Sequence, residues 1–459
     1  MRINANAFDP YVDPPEELEE DQVGWSPEAW DSNLPKRGGF VRDFVYGTRG
    51  FEAPTIFSAW TSLFCVSAAV RRSAWMALYP GRIYPNVYVI LVAPPSQCKK
   101  TTIIEFGADI IRNITKFIPN ETLRKIKEVR MLMNKVIPEA LIKSLQPLEI
   151  HIDGEDESLD LGSQLVIMAP ELTVMMGKQS YNTGLIELLT NLYDCPEFWQ
   201  YTKSSLTETN KVVNIPIRKG FVSFLGGATT DGLARSVPEA AFGDGFMSRL
   251  IPVYQDKSTR RFSDTFQPKG APSGYELARR LSWICLRQVG EFHMNKEAKS
   301  YWDKWYDKFC NLRDNDLNDN DPRARFDVVL RKLSLLIRLQ RYEEGLEIDL
   351  EDLMEAKAIL EATYNNSGKA TAEVGMSPFM KNVGVAERRI RTAGKRTRRE
   401  LLTQVRGWRD AYECTRAIQQ LHDQGKIRIY RDEKEVQKAS NKGTEEYWWT
   451  GDMEGRFGR

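Results

Sequence analysis

The sequence predicts a mixed α/β fold: a parallel sheet flanked by helices, with a helical segment before it, more helices after it, and a small helix–strand domain at the C-terminus. Three observations predict it. Val87-Tyr88-Val89-Ile90-Leu91-Val92 is an unbroken apolar run of strand length, the pattern of a strand buried on both faces. Leu165–Met168 repeats that pattern, and Gly220–Gly226 follows it but for Ser223, with helical stretches between them, so residues 85–255 alternate strand and helix. Beyond residue 375 the composition changes, with clustered arginines and lysines followed by two helical and two strand-like stretches.

Composition bounds the rest. The 459 residues are 42% hydrophobic and 28% charged, enough for two or three domains of an ordinary soluble kind. A net charge of +1 leaves no global field to attract nucleic acid, so any such surface is local. Six cysteines are scattered without ligand-like spacing and His occurs three times, which argues against a disulfide scaffold or a zinc site and fits a reducing cytoplasm. No stretch reads as a signal peptide or a membrane span, so no membrane partner is expected.

In order, residues 1–35 are rich in Pro, Asp and Glu and read as a flexible acidic arm. Residues 36–84 form an apolar helical segment, with Phe57–Val70 its strongest part. The α/β core follows at 85–260. A helical region at 261–370 carries Trp302, Trp305, Tyr306 and Phe309 at helical spacing, a core stripe, before a polar break from Asn311 to Asp321. The C-terminal domain occupies 375–455.

The chemistry starts where the first strand ends. Ser96-Gln97-Cys98-Lys99-Lys100-Thr101-Thr102 joins that strand to a helix, the strand–loop–helix layout of a phosphate-binding P-loop. Backbone amides at the helix start and the Lys100 ammonium would hold the phosphates of ATP, and the Thr101 hydroxyl would ligate Mg²⁺. With Lys100 in that role, the consensus glycines fall at Pro94 and Lys99, and neither is glycine. Cys98, beside two lysines at a helix start, reads either as an activated thiol or as a small loop-filling residue.

Downstream residues fill further roles. Glu171, just past the Leu165–Met168 strand, is placed to orient an attacking water; Pro170 stands where an Asp would support the metal. The competing reading of Glu171 is a favourable charge in a helix first turn begun by Pro170, and Asp153 and Asp194 are fallback carboxylates. Thr229 is a phosphate-sensor candidate or a helix N-cap. Arg249 lies between a glycine turn and a strand, either a surface residue or an arginine finger reaching a neighbouring subunit. The alternation at Trp199–Ser205 and Lys211–Ile215 predicts a hairpin. It either projects Lys203 and Lys211 toward single-stranded DNA or completes the sheet edge.

In the C-terminal domain, helix, turn, helix and a two-stranded ribbon make a winged helix. Arg398 and Arg399 at the first helix, Arg416, Gln419 and Gln420 on the second, and Arg428 on the ribbon suit DNA phosphates and base edges. The alternative is a solvated basic helix pair.

The order of these motifs resembles the replicative P-loop ATPases of phages and mobile elements. The resemblance rests on Gly81–Tyr88, Lys99–Thr102, Leu192-Tyr193-Asp194-Cys195-Pro196 and Gly245-Phe246-Met247-Ser248-Arg249, and spans roughly residues 40–340. More distantly, Ser248-Arg249 and the terminal domain are similar to the minichromosome maintenance helicases of the AAA+ class. That implies an α/β P-loop NTPase (AAA+-like) core with a helical lid, working as a hexameric ring on DNA during replication, with ATP and Mg²⁺ at sites shared between subunits. Lys100 would grip the β- and γ-phosphates, Thr101 the metal and Glu171 the water. Thr229 would be the sensor, Arg249 the finger in trans, and Arg323 or Arg325 a second sensor. A DNA-binding initiator or loader that holds nucleotide with little turnover is the alternative, which the two absent glycines, Ala93 (where relatives have Gly) and Pro170 favour.

Overall fold

A computed structural model describes residues 29–133, 138–151, 158–176, 179–204, 212–237, 245–316, 321–371, 378–405, 407–441 and 444–450. The chain divides into two compact units, 1–374 and 375–459.

Unit 1 opens with α1 (Phe40–Gly47) and α2 (Thr55–Val70), then β1 (Ala74–Leu78), β2 (Gly81–Ile83) and β3 (Tyr88–Val92). Next come α3 (Lys100–Asn113), α4 (Glu121–Lys127), β4 (Met131–Met133) and α5 (Pro138–Ser144). The pair β5 (Leu148–His151) and β6 (Ser158–Gly162) precedes β7 (Gln164–Ala169), α6 (Leu172–Met176) and α7 (Gln179–Leu192). The hairpin β8 (Phe198–Ser204) and β9 (Val212–Arg218) leads to β10 (Phe221–Ala228), α8 (Thr230–Ser236) and β11 (Leu250–Tyr254). The unit closes with α9 (Gly274–Arg287), β12 (Gly290–Met294), α10 (Lys296–Asp316), α11 (Phe326–Leu339), β13 (Glu347–Ile348), α12 (Leu350–Tyr364) and α13 (Ser367–Thr371).

The fold is mixed α/β around a five-stranded sheet of order β11-β3-β10-β7-β4, every pairing parallel. All residues of β3 are buried, as its unbroken apolar run requires. Alternate side chains serve two cores. Val89 and Leu91 pack with α2 and α3, while Tyr88, Ile90 and Val92 pack with Leu185, Leu189 and Leu192 of α7. From β3 the chain crosses to β4 at the far edge and returns through β7 and β10. It then passes over β3 to β11, so the strand order reverses beside β3. In an open α/β sheet, the carboxyl edge at such a reversal is where a crevice forms.

Some local expectations change. Residues 36–84 are not helical throughout: Ala74–Leu78 and Gly81–Ile83 are strands, and Ala74–Leu78 pairs in parallel with β12, which joins the N-terminal segment to a four-stranded sheet of order β13-β12-β1-β2. Helix α10 runs through the polar stretch from Asn311 to Asp316, anchored by Trp302 and Phe309 in the core. The β8–β9 hairpin is a two-stranded ribbon of its own and, among the described residues, completes no sheet edge. Residues 1–28 of the acidic arm lie outside the described residues. Ala29–Asn33 forms a 3₁₀ turn in which Asp31 accepts from Arg49 and Thr55. No helix among the described residues is long and apolar enough to cross a membrane.

Unit 2 packs α14 (Pro378–Ala393), α15 (Arg398–Gln404) and α16 (Ala411–Asp423) against an antiparallel sheet of order β14-β17-β15-β16. These strands are β14 (Lys395–Thr397), β15 (Ile427–Arg431), β16 (Lys434–Val436) and β17 (Glu446–Trp449). Its core gathers Ile390, Leu401, Ile418, Leu421, Ile429 and Tyr447. A capping box between Thr397 and Glu400 starts α15, and Asp410 caps α16.

Candidate functional site

The carboxyl ends of β3, β7 and β10 bring three of the sequence-predicted groups to one edge. Ala93 donates its amide to Ala228 O at 3.2 Å, which ties the loop after β3 to the end of β10. Gly227 is needed there, because a Cβ on it would meet Pro170 O at 2.4 Å. Those contacts set the loop of Lys100, the turn of Glu171 and the turn of Thr229 side by side.

Within the loop, Ser96, Cys98 and Lys99 adopt left-handed φ values of 57°, 62° and 43°. Lys99 occupies the place of the second consensus glycine, and it keeps the backbone conformation that a glycine would supply. Left-handed Lys99 is followed directly by the right-handed start of α3 at Lys100. The Lys100 ammonium donates to Ala93 O at 3.0 Å and Pro94 O at 3.3 Å, arching back over the loop. Partial burial lowers its pKa, and the charges of Cys98 and Glu171 oppose that shift. Gln97 N bonds Pro94 O, Cys98 is buried with Sγ 3.7 Å from Gln255 O, and Thr101 and Thr102 are exposed at the helix start.

Glu171 is exposed, its carbonyl accepting the amides of Val174 and Met175 as α6 begins. Thr229 is the N-cap of α8, its hydroxyl accepting from Gly232 N at 2.9 Å.

Other candidates lie elsewhere. Arg249 immediately precedes β11, whose first residue pairs with the first of β3. It therefore sits at the amino edge of the sheet, about 20 Å of strand away from the loop of its own chain. There it donates to Gly245 O at 2.8 Å and lies 3.4 Å from Asp194, which also faces Arg325 at 3.5 Å. Asp194 and Arg325 thus cannot serve Lys100 of the same chain, as fallback carboxylate or as a second sensor in cis. Arg323 is exposed and paired with Asp321. Asp153 and Lys211 lie outside the described residues; Lys203 lies on β8, its backbone opposite Val213.

In unit 2, Arg398 is not available to DNA. It is 2% exposed and donates to Thr415 Oγ1, Ala411 O and Asn441 Oδ1, joining α15 to α16. Arg399, Arg416 and Arg428 are exposed, and Gln420 is half-buried against Met380. Arg416, Gln419 and Lys438 line a groove of about 550 Å³ beside α16.

Two features escaped the sequence reading. Lys99 Nζ pairs with Glu52 at 3.2 Å, and Lys332 is buried beside the Arg249 cluster, donating to Asn86 Oδ1 at 2.6 Å and Tyr193 O at 3.3 Å. A charged residue on the apolar face of Phe326–Leu339 was the available signal for Lys332; sequence carries none for a pair 47 positions apart. No protein-family model matches the chain, and no curated protein matches it.

Proposed function

We propose that this chain is an ATP-hydrolysing, helicase-like motor acting on DNA in replication, assembled as a ring in which neighbouring copies share each site. The observation that carries the reading is the gathering, at the carboxyl edge beside β3, of a left-handed loop, the Lys100 ammonium, exposed Thr101 and exposed Glu171. The loop amides and Lys100 suit a triphosphate, and Glu171 suits the orientation of water. Thr101 would hold Mg²⁺, which neutralises charge on the phosphates when bound. Arg249 belongs to the scheme only through a second copy, because its own loop lies at the opposite edge. The ring is what the resemblance implies, and that separation is what a site shared between neighbouring copies would require. Unit 2 is read as a winged helix that touches DNA through Arg399, Arg416, Gln420 and Arg428.

The test is the ATPase rate of the full chain with and without single-stranded DNA, with Lys100→Ala and Arg249→Ala alongside. The reading expects DNA stimulation and near-complete loss in both variants; undiminished turnover in both would rule it out. One observation favours a second reading, a nucleotide-holding initiator with little turnover: the Thr229 hydroxyl already serves as a helix cap. Tight ATP binding without turnover would select it.

A further inference from the structure

We propose that Glu52 is a positioning residue for the phosphate-binding loop, fixing Lys99 in the left-handed conformation that a glycine would otherwise supply. The inference rests on the nucleotide reading of that loop.

A left-handed non-glycine residue is disfavoured and persists only where its surroundings over-determine it. Here three of the four residues from Ser96 to Lys99 are left-handed, and none is glycine. Cys98 is held by burial and Lys100 by the loop's own carbonyls. Lys99, the residue from which α3 starts, has no side-chain cap on that helix, and its ammonium instead reaches out of the loop to Glu52.

Glu52 is a fixed post. It lies between α1 and α2, where its neighbour Phe51 stacks edge-on against Phe106 of α3 at 5.1 Å. Its carboxylate also accepts the Phe262 amide at 3.1 Å. That bond first, and Lys99 second, hold the carboxyl below its usual range. One carboxylate thereby ties the α1–α2 loop, the segment after β11 and the phosphate loop together.

The experiment is titration of the full chain with Mg·ATP by calorimetry, with melting temperatures recorded for each variant. Glu52→Gln, which keeps an acceptor for Phe262, and Glu52→Ala should each weaken binding by about fivefold, the upper range of a partly exposed ion pair. Lys99→Gly should bind at least as tightly as the unsubstituted protein. In the Lys99→Gly background, Glu52→Ala should then have no effect on affinity. Loss of affinity in Lys99→Gly, or an equal effect of Glu52→Ala in both backgrounds, would overturn the proposal while leaving the nucleotide site standing. An unsubstituted protein that binds no ATP would remove the nucleotide reading and this inference with it.

Discussion

Lys332 carries an ammonium into the interior of unit 1, where it lies 3.8 Å over the Tyr193 ring and bonds Asn86 and the Tyr193 carbonyl. Burial pulls its pKa down to about 8; Cys195 and Asp194 pull it back up, and Arg325 and Arg249 push it further down. The sign of the consequence follows from proton counting. Between pH 8 and the ordinary lysine range near 10.4, the unfolded chain holds the proton and the folded chain does not, so stability from this group rises with pH and levels off above. The span corresponds to about 3 kcal/mol. Lys332→Met should remove that rise. Denaturant unfolding of both proteins from pH 7.5 to 10.5 checks it, and parallel curves would refute it. Arg398 makes the complementary case, a buried cation with three acceptors. Arg398→Met should destabilise unit 2 by about 3 kcal/mol, since the charged hydrogen bonds that join α15 to α16 are lost. Arg399→Met should leave stability unchanged. Thermal unfolding of the full chain separates the two.

Among the elements, α2 and α3 approach closely at Gly107. A Cβ on Gly107 would meet Thr61 Cγ2 at 2.7 Å, and both helices are buried along the contact. Gly107→Ala should therefore cost about 1–3 kcal/mol by overpacking, despite alanine's better helix propensity. Thr61→Ser removes the opposing methyl and should restore most of it. Chemical denaturation of the single and double variants decides, and a Gly107→Ala protein as stable as the original would refute it. The strands were the most legible elements. The runs Val87–Val92 and Leu165–Met168 are apolar without alternation and Phe221–Leu225 is interrupted only by Ser223, because helices cover both faces, and each proved to be a parallel strand. The helix Pro378–Ala393 was hidden because Arg388, Arg389 and Arg391 read as a charge run, while Val383, Ala386 and Ile390 supply its buried stripe. The strand–loop–helix order around Ser96–Thr102 was legible from its setting. The loop's left-handed turns were not, because nothing in Ser, Cys or Lys announces positive φ. Arg398 shows the limit from the other side: an arginine in a basic cluster looks solvated until the fold surrounds it.

At the scale of the whole molecule, the strongest constraint is that Lys100 and Arg249 stand at opposite edges of one parallel sheet. No side chain spans that separation, so if both groups act on one triphosphate they come from different copies. Head-to-tail contact of this kind, repeated until it closes, generates a ring. The arginine edge suits an anion: two guanidiniums, Arg249 and Arg325, share the single carboxylate of Asp194, which is more than half exposed. An incoming phosphate would meet surplus positive charge there. Complementation tests the arrangement directly. Lys100→Ala protein has a dead loop and an intact arginine; Arg249→Ala protein has the reverse. Each alone should be inactive. Mixed in equal amounts and allowed to reassemble, roughly a quarter of the contacts would join an intact loop to an intact arginine, as random order in a head-to-tail ring requires. ATPase activity should reappear on mixing, in proportion to those contacts. A mixture as inactive as its parents, with assembly confirmed by sizing, would mean that the two residues do not meet across subunits, and Arg249 would then be only the clasp on Asp194 that it forms within its own chain.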